Sequence, residues 1–148
     1  MQTNIQDDYL FMQEALKEAI KAVESDEVPV GAVIVHKNKI IARAHNLSVT
    51  LNDPTAHAEM QVFSLATNYL RSKYLNKCTL YVTLEPCLMC AAASYWTQIG
   101  RVVYAATDIK RSFSFDKREV YHPKTILSGG ILAEESSELL SDFFRKKR

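Results

Sequence analysis

Apolar residues change their spacing several times along this chain, and the changes predict an alternation of helices and strands. Tyr9, Met12, Leu16, Ala19, Ile20 and Val23 recur at helical spacing, which predicts a first helix near 8–23. Pro29 to Val35 is an apolar, β-branched run that reads as a strand; Lys37-Asn38-Lys39 turns the chain, and Ile40 to His45 returns as the second strand of a hairpin. The polar segment Asn46 to Thr55 reads as a loop, with Asp53-Pro54-Thr55 as the start signal of a helix from about Ala56 to Tyr69. Thr79 to Leu84 reads as a third strand. Pro86 suits a first helical turn and opens a helix to about Gln98. Val102 to Ala106 is a short, fully apolar strand, 107–124 reads as loop, Thr125 to Leu127 as a short strand and Glu134 to Lys147 as a final helix. Neither repeats nor a Pro/Gly-rich linker divides the sequence. The expected fold is α/β: a three-layer α/β/α sandwich around a mixed sheet, in a single domain over 1–148.

Composition narrows the class. With 47% hydrophobic and 24% charged residues, disorder and collagen-like repeats are excluded. The apolar run Val30 to Val35 is far too short for a membrane span, and Met1 to Asp8 lacks the basic start of a signal peptide. Three cysteines, an odd number, argue against a disulfide framework and for a reducing compartment, so a cytoplasmic location is expected. Net charge is +1 and by itself names no partner. Residues 1–74 carry 7 basic and 9 acidic side chains, against 11 and 8 over 75–148. The excess includes Lys110, Arg111, Lys117, Arg118, Lys124 and Arg145-Lys146-Lys147-Arg148. Such clusters follow a phosphate backbone, and equally they complement the dipole at a helix end.

Two short motifs carry candidate chemistry: His57-Ala58-Glu59 and Pro86-Cys87-Leu88-Met89-Cys90. Each falls where the apolar pattern starts a helix. Cys87 and Cys90, three apart, share a face of a first helical turn, while His57 and Glu59 both lean over a helix mouth. If the strands before these helices run the same way, both mouths open at one sheet edge, where α/β proteins place ligands. Two thiolates and an imidazole suit Zn²⁺ and leave a fourth position for water, whose pKa falls from 15.7 toward about 7 on the metal. Glu59 suits the proton carrier, taking the water's proton and returning it to a departing amine. Hydrolytic deamination follows. Other readings stand beside it. Strand, Cys-x-x-Cys and helix also describe a redox dithiol, which leaves His57 and Glu59 idle. Cys78 or His122 as a fourth ligand closes the metal site and makes it structural. His36 and His45, flanking the hairpin, read as surface or edge residues.

The His-x-Glu and Pro-Cys-x-x-Cys pair is the signature of zinc-dependent base deaminases. Along its length the chain resembles the bacterial tRNA adenosine deaminases, within the cytidine-deaminase-like superfamily. The resemblance runs through Val28-Pro29-Val30-Gly31-Ala32-Val33, Asp53 to Glu59, Leu80 to Cys87, Ile99 to Tyr104, Gly130-Ile131-Leu132 and Leu139 to Arg145, with Phe143-Phe144-Arg145 pointing most narrowly at the tRNA enzymes. It implies a cytidine-deaminase-like fold and conversion of a wobble adenosine to inosine. It implies one Zn²⁺ per chain on His57, Cys87 and Cys90, with Glu59 as proton shuttle. It further implies substrate contacts at Asn46, Ala58 and Asp108, a homodimer, and an anticodon stem-loop held partly by the terminal helix. Departures lie at Ala91-Ala92-Ala93, at Ala105 and in the loop from Lys110 to Arg118, where the family carries glycine. They leave the zinc chemistry alone and bear on the substrate, so deamination of free guanine, cytosine or cytidine is the alternative. In that loop Phe113 and Phe115, among cations, suit either stacking on splayed bases or one buried strand face.

Overall fold

The computed structural model describes residues 5–108 and 117–147. The elements in chain order are α1 (Ile5–Glu24), β1 (Gly31–His36), β2 (Lys39–His45), α2 (Ala58–Leu70), β3 (Cys78–Leu84), α3 (Leu88–Thr97), β4 (Arg101–Ala106), α4 (Lys117–Val120), β5 (Ile126–Gly129) and α5 (Ala133–Lys146). The sheet order is β2-β1-β3-β4-β5. β1 is antiparallel to both β2 and β3, whereas β3, β4 and β5 are mutually parallel, so the sheet is mixed. Alternate side chains of the central strands feed opposite faces. Ala32, Ile34, Leu80, Val82 and Val102 pack under α2, against Val62, Phe63 and Ala66. Val33, Val35, Tyr81, Val103 and Ala105 pack under α1, against Met12 and Ala15. Three layers result, as the alternation of elements implied.

The helix expected near 8–23 spans Ile5–Glu24, and only part of its recurring apolar set is buried. Met12 and Ala19 are fully buried, whereas Tyr9, Ile20 and Val23 are 45%, 51% and 39% exposed. The face that packs is Met12, Ala15, Ala19 and Ala22. Its small residues let α1 lie directly on β1: a Cβ at Gly31 would stand 2.1 Å from the Ala15 carbonyl oxygen and 2.5 Å from the Ala19 nitrogen. Close backbone approach therefore outweighed side-chain size in choosing the face. Two smaller differences lie elsewhere. The segment read as loop over 107–124 contains the single turn α4, and the short strand expected at Thr125 to Leu127 runs over Ile126–Gly129. The residues Lys110, Arg111, Phe113 and Phe115 lie outside the described residues.

Polar links fasten the outer helices. Ser136, buried on α5, donates to the Thr83 carbonyl, and the Thr83 hydroxyl accepts from Gly31 N–H at 3.1 Å. At the other end of the sheet, Arg101 donates through both terminal nitrogens to the two carboxylate oxygens of Asp8, each at 2.6 Å, and the Tyr81 hydroxyl donates to Asp8 at 2.7 Å. Burial alone would raise the Asp8 pKa, but the Arg101 and Tyr81 hydrogen bonds and the guanidinium charge outweigh it and hold the carboxyl below its usual range. Asp8→Asn should cost about 3 kcal/mol at pH 7, because it strands a buried guanidinium. A group with a lowered folded pKa stabilises above its unfolded pKa, and that contribution fades as pH falls through the folded value. Chemical denaturation of both proteins between pH 7 and pH 3 should therefore show the gap shrinking as the solution turns acid. A gap that stays constant removes the ion pair as its source.

Candidate active site

β2 and β3 both run antiparallel to β1, so they point the same way and their far ends share one edge of the sheet. The helices that follow them, α2 and α3, start at that edge. His57 is the N-cap of α2 (φ −71°, ψ 155°) and Cys87 the N-cap of α3 (φ −69°, ψ 172°), both extended where the helix begins. Thr55 donates through its N–H and hydroxyl to Asp53, at 2.9 and 2.7 Å, turning the chain just ahead of α2. Pro86 thus stands one residue before the cap of α3 instead of inside the first turn.

The geometry at this edge is compact. His57 Nδ1 lies 3.6 Å from Cys87 Sγ and 3.6 Å from Cys90 Sγ, and the three potential ligand atoms all fall within 4.8 Å of one another. A tetrahedral zinc with bonds of about 2.3 Å to sulfur and about 2.0–2.1 Å to nitrogen has an S···N edge of about 3.6 Å, so the donor set fits the ion. A hydrogen bond from Cys90 and the neighbouring His57 outweigh burial and bring the Cys87 thiol down to about 4, while the same hydrogen bond and burial push Cys90 up. Glu59 sits in the first turn of α2 with 4% of its surface exposed; burial, and the charge on Cys87, raise its carboxyl to about 7.

Cys78 and His122 do not join the group among the described residues. Cys78 starts β3, about 20 Å along the strand from the site, and burial keeps its thiol protonated by raising it to about 11. The His122 ring packs against Tyr95 at 5.4 Å and accepts the Lys124 N–H at 3.2 Å.

A cleft of about 1020 Å³ opens over this point. Asn46, His57, Ala58, Glu59, Cys87 and Asp108 line it from the sheet edge, and Leu140, Phe144, Arg145 and Lys147 from α5. Asn46 is the first residue past β2 and is 7% exposed. Two carboxylates that the sequence reading passed over shape the rim. Glu27, with no exposed surface, accepts from Val49 N–H at 3.1 Å, Thr50 N–H at 2.6 Å and the Thr50 hydroxyl at 2.7 Å, ordering the loop after Asn46. Glu85 accepts the Asp108 N–H at 3.2 Å while its own N–H donates to Ala106 at 2.8 Å. Neither belongs to a spaced motif; an acidic residue butted against an apolar strand was the available signal.

Residues 5–106 match the family described as the cytidine and deoxycytidylate deaminase zinc-binding region. The tRNA-specific adenosine deaminase of Aquifex aeolicus is 45% identical over 143 residues, covering 93% of this chain and 94% of its own length. The chain belongs to the tRNA-specific adenosine deaminase family. A solved structure from work on A-to-I editing by tRNA:A34 deaminases at the wobble position is 43% identical with a TM-score of 0.79, covering 88% of this chain and 98% of that one. The guanine deaminase of Bacillus subtilis is 41% identical with a TM-score of 0.63, covering 66% of this chain and 63% of that one. Members of this deaminase family are hydrolytic enzymes with a zinc-binding domain, and the His57, Cys87 and Cys90 cluster supplies the donors such a domain requires.

Proposed function

We propose that this chain, as a single domain over 1–148, deaminates adenosine to inosine at the wobble position of tRNA. The observation that carries the reading is the His57 imidazole equidistant from two sulfurs at 3.6 Å, with a buried carboxyl beside them. His57, Cys87 and Cys90 would hold one Zn²⁺ per chain. When bound, the ion lowers the pKa of its water toward about 7 and so supplies a nucleophile at neutral pH. Glu59, raised to about 7, is poised to release and accept protons under the same conditions. It takes one proton from the attacking water and delivers it to the purine ring nitrogen, then takes the second from the hydroxyl now on the purine carbon and gives it to the amine as the carbon–nitrogen bond breaks; transfer of this kind is worth about 10²–10⁴ in rate. Asn46 and Ala58 hold the base, and Asp108, steadied by Glu85, lies along the substrate backbone.

Access explains the choice of an RNA loop. An amine stacked in a duplex is out of reach, whereas an anticodon base splays out and enters a pocket. The cleft exceeds the usual ~300–1,000 Å³ of small-molecule sites only slightly, but one wall carries Arg145 and Lys147, cations suited to phosphates. No described helix is long and apolar enough to cross a membrane. A tRNA substrate and reduced thiols agree with a cytoplasmic setting.

A substrate panel tests this reading. A stem-loop whose anticodon begins with A should yield inosine, while guanine, cytosine, adenosine and cytidine release little ammonia. Glu59→Ala should lose deamination and keep about one zinc per chain by metal analysis, because the ligand set is intact. Product from guanine with none from the stem-loop would transfer the case to a free-base deaminase.

A homodimer is part of the same proposal. On α3, Leu88, Tyr95 and Trp96 are 45%, 39% and 77% exposed, a row of large apolar side chains uncovered in the isolated chain. Such a surface suits a self-complementary two-fold contact. Trp96→Glu should shift the molar mass measured by light scattering from dimer to monomer. A wild-type mass for that variant would move the contact to another face.

A further inference from the structure

The backbone around Asn46 is tied at three successive residues, and one side chain outside the proposed chemistry makes part of the tie. Asn46 N–H donates to the Val30 carbonyl at 3.1 Å, and Leu47 N–H donates to the Ala56 carbonyl at 3.0 Å. Gln61 Nε2, one turn into α2, donates to the His45 carbonyl at 2.7 Å and the Ala56 carbonyl at 3.2 Å, and lies 3.4 Å from the His57 carbonyl. Three carbonyl oxygens surround this one amide nitrogen. Only the NH₂ end of the amide satisfies them, since carbonyls have no proton to give.

Those carbonyls belong to the residue before Asn46, the residue before His57, and His57 itself. The end of β2 and the mouth of α2 are separated by the connection 46–57, so the chain alone leaves their spacing loose. Gln61 bridges the two ends directly, from within the helix that carries Glu59. It also shares the Ala56 carbonyl with Leu47, so its contacts reach the residues on both sides of Asn46.

We infer that Gln61 is a positioning residue for base recognition: it sets the separation between Asn46 and the His57–Glu59 helix mouth. The inference rests on the proposed substrate role of Asn46. Loosening Asn46 would misalign the base against Glu59 while leaving the cations Arg145 and Lys147 of the cleft wall in place, and so lower kcat more than it raises KM. Misplacement by about 1 Å in such a site is enough to cost up to about 10²-fold.

The test compares the wild type with Gln61→Leu, Gln61→Glu, Asn46→Ala and the Gln61→Leu/Asn46→Ala double variant. Single-turnover rates and KM are read on a wobble-adenosine stem-loop, with zinc content and Tm measured on the same samples. Gln61→Leu keeps the bulk and removes the donors; it should slow the chemical step about tenfold with KM and zinc little changed. Gln61→Glu has the same shape but turns acceptors toward acceptors, and should lose at least as much. In the Asn46→Ala background, Gln61→Leu should cost less than about twofold further, because residues acting through one another are not additive. A wild-type rate in Gln61→Leu beside a slowed Asn46→Ala overturns the inference and leaves the role of Asn46 standing. A wild-type rate in Asn46→Ala removes that role and this inference with it. Full multiplication of the two losses, or a loss that follows zinc content, also overturns it.

Discussion

Holding two sulfurs and an imidazole nitrogen within 4.8 Å of one another, next to a buried carboxyl, is the constraint around which this chain is arranged. Such a cluster is unfavourable without a counter-charge. A single ionised sulfur already suppresses ionisation of its neighbour: Cys87 falls to about 4 while Cys90 is pushed up, and Glu59 rises to about 7. A divalent cation reverses that balance by making both thiolates favourable, since metal binding and ligand deprotonation are coupled. The helix mouths assist by directing unsatisfied N–H groups toward the sulfurs.

The sheet makes this meeting possible. Because β1 is antiparallel to both of its neighbours, β2 and β3 end together and launch α2 and α3 from one edge. Candidate donors 30 residues apart in the chain, His57 and Cys87, then become N-caps side by side. The remainder of the fold secures that edge. α1 settles onto β1 at Gly31, the Asp8–Arg101–Tyr81 network fixes its start, and Ser136 fastens α5 to the last turn of β3, where its far end closes the cleft.

Division of labour within the cleft follows burial. The end that holds Glu59 and Asn46 is nearly dry, at 4% and 7% exposure, whereas the α5 wall carries exposed cations. On the proposed reading, chemistry on an uncharged base uses the former and grip on a polyanion the latter. Glu27 and Glu85 join the two by holding the loops that follow Asn46 and precede Asp108.

The sequence by itself was enough for the order of the five strands and the longer helices, the mixed α/β class and the choice of His57, Cys87 and Cys90 as candidate donors, though not for the single turn α4. These signals are local: apolar spacing reports the period of the backbone, and Cys-x-x-Cys or His-x-Glu reports one turn of chain. It left open which face of α1 packs, and the structure chose the one where Ala15 and Ala19 meet β1 at Gly31. Glu27, Glu85 and the contacts of α5 with the cleft had no local signature. Their partners lie more than 20 residues away, so only the tertiary structure decided them: a hydrogen bond between distant segments exists only after the sheet has brought its ends together.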